Sequence, residues 1–195
     1  MNHYITTIAL AISSVVATSA HAEAFNGIYA GGVVGYDKLT IKATAGGVSA
    51  STSGDSISGG LVAGYNAKVS DNVVVGVEVE GLIGGGKITE GTDTLKTDYS
   101  ATVGVRAGFL ATPQLLLYGK VAYARTRLSA DGEGENGDGV AFGGGVEVAF
   151  SGNMSGRIAY TRTSYSVNDD AVAFSGADDV DINRDKLIAG VTFHF

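Results

Sequence analysis

From Gly27 to the carboxy terminus, apolar side chains recur at every second position, and that two-residue period constrains the fold more than any other feature of the chain. A period of two places alternate side chains on opposite faces of an extended strand, whereas one face of a helix repeats every 3.6 residues. Around the middle of the chain, Tyr99, Ala101, Val103, Val105, Ala107 and Phe109 alternate with Ser100, Thr102, Gly104, Arg106 and Gly108. At its end, Leu187, Ala189, Val191, Phe193 and Phe195 alternate with Lys186, Ile188, Gly190, Thr192 and His194. Segments around Ile28, Ile57, Val73, Leu115, Phe142 and Ile158 behave similarly, so the spacing predicts eight strands, an even number. Thirty glycines and a single proline in 195 residues fit strands joined by turns and argue against an all-helical chain.

The connections fall into two alternating classes. Ser70-Asp71-Asn72, Thr112-Pro113-Gln114 and Gly152-Asn153-Met154 read as short turns. Residues 43–55, 89–97, 129–139 and 167–183 read as longer loops rich in Gly, Ser, Thr and Asp. Short connections at one end and long ones at the other are the asymmetry of a barrel that crosses a membrane, with the short turns and both ends of the mature chain on the periplasmic side. No segment beyond the first 22 residues has the roughly 20 consecutive apolar residues of a spanning helix. Strands in hydrocarbon cannot leave an edge unpaired, so the first and last are expected to pair. The fold class that follows is all-β: an eight-stranded antiparallel up-and-down transmembrane β-barrel.

The amino terminus reads as a targeting segment. Ile5–Ala20 is uncharged and mostly apolar or small, and Ala20-His21-Ala22 supplies a small-x-small cleavage site. Residues 1–22 are expected to be a cleaved secretory signal peptide, leaving a barrel domain over 23–195. The segment departs from the usual pattern in having no Lys or Arg before its apolar run.

Alternation alone does not say which face points outward, because a soluble lipocalin-like barrel also alternates. Here one face carries Glu78, Glu80, Arg106, Lys120, Glu147 and Arg157 among small residues, which suits a narrow lumen. The apolar face carries aromatics at two levels, as interfacial girdles require: Tyr36, Tyr99, Tyr123 and Phe142 toward the long loops, and Tyr65, Phe109, Phe150, Phe193 and Phe195 toward the short turns. Tyr160 falls at mid-height, outside that scheme. An unpaired charge in a poorly hydrated lumen is costly, so the six charged residues are expected to pair, Glu78 and Glu80 reaching Arg106 and the rest continuing around the wall. Such a network plugs the barrel and holds its register; a narrow passive pore is the alternative reading.

Other classes of function fare worse. A formal charge of −7 argues against nucleic-acid binding, and without cysteine there is no thiolate chemistry. A lipid A-modifying enzyme needs a nucleophile, a base and an orienting acid. Beyond the signal segment only His194 is available as base, with Thr192 on its face and no acid evident nearby, so no catalytic residues and no cofactor are expected. Asp131, Glu133, Glu135 and Asp138, and then Asp169, Asp170, Asp178, Asp179 and Asp181, crowd two loops. The first group only partly matches a calcium loop, with Asn136 where the glycine belongs and Phe142 where the final Glu belongs, so both groups read as solvated loops. Arg125 and Arg127 share the outward phase of Tyr123 and either contact lipid phosphates or mark where the strand leaves the membrane.

Several stretches resemble the small outer-membrane β-barrel family, which includes the OmpA-like transmembrane domain and the alphaproteobacterial outer-membrane surface antigens. They are Asn26-Gly27-Ile28-Tyr29-Ala30-Gly31-Gly32, Gly76-Val77-Glu78, Gly104-Val105-Arg106-Ala107-Gly108-Phe109, Gly156-Arg157-Ile158-Ala159-Tyr160 and the ending Leu187 to Phe195. The resemblance implies a Gram-negative outer-membrane location and contact with outer-membrane lipid and lipopolysaccharide. It also implies that Phe193 and Phe195 form the signal read by the barrel-assembly machinery. A surface role in the envelope follows, with an extracellular ligand that the loops do not identify. The chain departs from the family in lacking Trp, and with no peptidoglycan-binding domain evident, a cell-wall tether does not carry over.

Overall fold

A computed structural model of the chain describes residues 25–85, 87–90, 93–130, 133–165 and 179–195. The signal segment lies outside the described residues, as do Asp131, Asp169, Asp170 and Asp178 and the side chains of Glu133, Glu135 and Asp179. Nine strand segments are present among them: β1 (Gly27–Ala45), β2 (Val48–Ser70), β3 (Val73–Gly84), β4 (Lys87–Glu90), β5 (Asp93–Thr112), β6 (Leu115–Ala130), β7 (Glu133–Ser151), β8 (Met154–Tyr165) and β9 (Asp179–His194).

Each strand pairs antiparallel with its neighbours, and β1 pairs with β9 from Tyr29↔His194 to Thr44↔Asp179, so the sheet closes into a ring. β3 and β4 are two pieces of one stave, since both pair with β5. The break falls at Gly84 and Gly85, whose φ angles of 75° and 87° are costly for a residue with a Cβ. The nine segments therefore make the eight staves expected.

The long connections differ from the loops expected. The β1–β2 ladder runs unbroken to Ala45↔Val48 and reverses at Gly46-Gly47, both at positive φ as a type I′ hairpin turn requires. β6 and β7 pair out to Ala130↔Glu133, and β4 and β5 to Glu90↔Asp93. Residues 43–55, 89–97 and 129–139 are thus largely continuations of the barrel wall, and Asp179–Asn183 belongs to β9. The reason is physical: beyond the membrane both faces of a strand meet water, so no apolar alternation marks it. The extended backbone from Glu133 onward also rules out a calcium-loop conformation there.

The apolar phase faces outward. Val105 is 60% exposed while its neighbour Arg106 is 2% exposed, and Val34, Leu61, Val77, Val121, Phe142 and Ile158 are likewise exposed. Inside, an apolar floor of Phe25, Val74, Leu110 and Leu116 occupies the short-turn end. Phe25 is held at a φ of 67° with its ring wholly buried. All of the expected girdle residues lie on the outward face. Tyr160 does so as well, and its hydroxyl donates to Asp185, so it reaches from mid-height toward a rim carboxylate. Tyr36 with Asp55 and Tyr123 with Asp138 repeat that pairing on the same face.

Candidate functional site

Among the described residues, the lumen is where the strands bring buried, chemically capable side chains together. Because inward positions alternate along each strand, charged and polar residues project into the lumen among glycines, alanines and a few larger apolar side chains, and the small residues leave them room. Gly64 shows why: a Cβ there would run into the ring and hydroxyl of Tyr29 and into the backbone of β3.

At the centre sits Glu78. Arg157 Nη2 donates to its Oε2 at 2.7 Å, Arg106 Nη1 reaches the same oxygen at 3.4 Å, and Lys120 Nζ donates to Oε1 at 3.1 Å. The Tyr29 hydroxyl donates to Oε2 at 2.8 Å. Arg106 also donates to Glu147 at 3.2 Å and, through Nε, to Asn66 at 3.0 Å. Its guanidinium lies 4.7 Å from the ring centroids of both Tyr29 and Tyr118, so two aromatic faces hold a cation already paired with two carboxylates. Arg157 donates to the Tyr118 hydroxyl at 2.9 Å.

Two further clusters stack on this one toward the outer end. Glu80 pairs with Lys186 and lies 3.7 Å from Lys120. Above it Arg184 Nε donates to Asp37 at 2.7 Å, and Ser58 donates to the other oxygen of Asp37 at 2.5 Å. Gly85 passes so close over this pair that a Cβ would strike Arg184 and Asp37. Five buried cations (Arg106, Lys120, Arg157, Arg184, Lys186) thus meet four buried carboxylates (Asp37, Glu78, Glu80, Glu147). Leaving any one of these buried charges without a partner is costly, and each lies within ion-pair distance of an opposite charge.

All six charged residues singled out from the sequence face this lumen, and Glu78 reaches Arg106 as expected, but the other pairings differ. Glu80 meets Lys186 and Lys120 rather than Arg106, while Glu78 reaches Arg157 on β8 across the lumen. Sequence reasoning missed Tyr29, Asn66 and the Asp37–Arg184 pair. Tyr29 and Asp37 share the inward phase of Gly31 and Gly35, a signal that was present; Arg184 borders a segment that carries no alternation.

The periplasmic end holds an arrangement that the sequence hid. Ser155 Oγ lies 2.9 Å from His194 Nε2 and donates to Glu147 Oε1 at 2.6 Å, and His194 Nε2 is 3.2 Å from that same oxygen. An acid therefore does stand beside His194, contrary to expectation. The geometry is nonetheless not that of a nucleophile–base–acid relay. In a relay the acid binds Nδ1 and leaves Nε2 for the hydroxyl; here Glu147 and Ser155 crowd Nε2, while Nδ1 has no hydrogen-bond partner among the described residues. Ser155 and Glu147 are wholly buried, and the Phe25 ring packs edge-on against His194, so no substrate carbonyl can reach the hydroxyl.

Comparison with known proteins agrees with this architecture. The family described as "Outer membrane protein beta-barrel domain" matches residues 7–195. The 31 kDa outer-membrane immunogenic protein of Brucella melitensis is 27% identical over 157 residues, 70% of this chain, and its Brucella suis counterpart is equally similar. The chain's match spans 61% of the length of these relatives. Among solved structures, Neisserial surface protein A aligns with a TM-score of 0.51 at 18% identity, covering 84% of this chain and 97% of that one. The attachment invasion locus protein Ail of Yersinia pestis aligns at 0.47 and 18% identity, covering 86% and 99%.

Proposed function

The chain belongs to the outer membrane protein β-barrel domain family, whose members reside in the outer membrane of Gram-negative bacteria, and on that premise we propose that it serves the envelope as a structural, surface-interactive barrel with a charge-plugged lumen. The observation that carries this reading is the luminal network itself. Arg106, Arg157, Glu78 and Glu147 are buried and paired across the width of the barrel, and ions crossing it would have to part them. The outer hairpins then present the surface, which accords with relatives named as immunogenic outer-membrane proteins. Outer-membrane lipid and lipopolysaccharide are its proposed neighbours, with an extracellular ligand of the hairpins as a further partner. No catalytic role is assigned.

Single-channel recording in a planar bilayer tests the plug. The refolded barrel is expected to be silent, and Glu78→Gln with Arg157→Met, which opens the central cluster, to raise the frequency of openings. Discrete, reproducible openings of the unaltered protein that shift on neutralising Arg106 or Glu78 contradict the plug and establish the narrow pore instead.

The carboxy terminus carries a second expectation. Phe193 and Phe195 lie on the outward face, and the Phe195 amide closes the ring by donating to Ile28. Deleting Phe195 is expected to lower the amount of heat-modifiable barrel in the outer membrane severalfold while leaving detergent refolding largely intact. Equal assembly in cells without it contradicts a role as assembly signal.

A further inference from the structure

The outward face is not uniform. Between β2, β3, β5 and β6 runs a furrow of about 490 Å³ whose floor is made of small residues, Ala63, Gly81 and Ala101, between walls that include Leu61, Val79 and Val103. Its outer end is closed by Tyr123 and Arg125. The register explains the shape: Leu61, Gly81, Ala101 and Arg125 form one row across four strands, so the smallest side chains fall in line beneath a cation. One step further out, Ile83, Tyr99 and Arg127 form the next row, which puts a second guanidinium roughly 7 Å along the strand on the same face.

Arg125 is exposed, and its Nε lies 3.8 Å from Asp138, which also bonds the Tyr123 hydroxyl. At 3.8 Å this is a loose ion pair between exposed groups, so the guanidinium stays open to a second anion. An apolar furrow with two arginines toward its outer end complements an acyl chain ending in an anionic head.

We propose that this furrow seats an acyl chain of a phosphorylated glycolipid of the outer leaflet, with Arg125 and Arg127 on its phosphate. The proposal rests on the membrane reading above and adds a site to it. The groove asks for a chain, and the paired guanidiniums ask for a phosphate rather than for a zwitterionic head, because planar donors bind phosphate oxygens bidentately. Arg162, outward on β8 and 4.0 Å from Asp185, has no part in the furrow and serves as the control cation.

The test is to place the refolded chain in phosphatidylcholine nanodiscs doped with a trace of lipid A and to count bound lipid A by native mass spectrometry. Dephosphorylated lipid A and inorganic phosphate are run as separate arms. Expected are stoichiometric retention of lipid A, a loss of about tenfold in retention for Arg125→Gln with Arg127→Gln, and no loss for Arg162→Gln. Gly81→Leu raises the floor at a position where an added Cβ meets open space, and is expected to weaken retention similarly. Dephosphorylated lipid A is expected to bind weakly and millimolar phosphate not to compete. Equal retention by all variants overturns the site while leaving the barrel in the membrane. So does displacement by phosphate alone, or pairing of two barrels that Gly81→Leu abolishes. A chain that never enters the discs in heat-modifiable form overturns the membrane reading, and the site with it.

Discussion

Glu78→Gln is expected to destabilise the folded barrel by about 3–5 kcal/mol, the largest effect of any single neutralisation in the lumen. The residue is one carboxylate shared by three cations, Arg106, Lys120 and Arg157, and by the Tyr29 hydroxyl. The amide keeps the shape but removes the charge. Arg157 then faces only Glu147, at 3.9 Å, and Lys120 only Glu80. Water cannot relieve the excess positive charge, because all of these groups are buried. Removing Arg157 as well restores balance, so Glu78→Gln with Arg157→Met is expected to cost less than the sum of the two single changes. Urea titrations of the barrel in lipid vesicles, followed by the shift in gel migration between folded and unfolded forms, measure this. A loss below about 0.5 kcal/mol for Glu78→Gln would mean that the lumen is wet enough to screen its charges.

Val105→Arg is expected to cost about 2–4 kcal/mol for the opposite reason. Val105 stands on the outward face of β5 between Tyr99 and Phe109, and its backbone partners Val77 and Val121 are both exposed and apolar. A guanidinium there meets hydrocarbon with no carboxylate in reach, whereas Arg106 one residue away is satisfied by Glu78, Glu147 and Asn66. Thr102→Ser, on the inward face of the same strand, is expected to change stability by less than about 0.5 kcal/mol. Equal cost at the two positions contradicts the assignment of faces.

The two faces were legible because a two-residue period has only two phases, and one of them carried Glu78, Arg106 and Lys120 among glycines. The closed ring was legible from the same period, through the rule that strands in lipid leave no edge. What the period does not record is the pairing across the lumen. The staves are staggered, so Glu78 and Arg157, 79 residues apart on strands that do not touch, become partners while Glu80 and Arg106 do not. Nor does it record strands in water: residues 48–54 and 133–137 extend the wall without an apolar alternation, and their serines and glycines read as loop. His194 illustrates a third limit. Its neighbours Ser155 and Glu147 come from two other strands, β8 and β7, and only the stagger of the ring sets them side by side.

The inverted arrangement of faces, apolar outside and charged within, is tested most directly along β5. The chain has no cysteine, so single cysteines at positions 101, 102, 103, 105, 106 and 107 can each carry a spin label in the protein folded into lipid vesicles; Gly104 is left alone because a Cβ there strikes the backbone of β6. Collision with oxygen, which dissolves in hydrocarbon, is expected to be high for Ala101→Cys, Val103→Cys, Val105→Cys and Ala107→Cys. It is expected to be low for Thr102→Cys and Arg106→Cys, with a water-soluble nickel reagent excluded from both sets at mid-membrane. Oxygen access in the reverse phase, or access to nickel along the whole strand, contradicts a barrel that turns its apolar face to lipid.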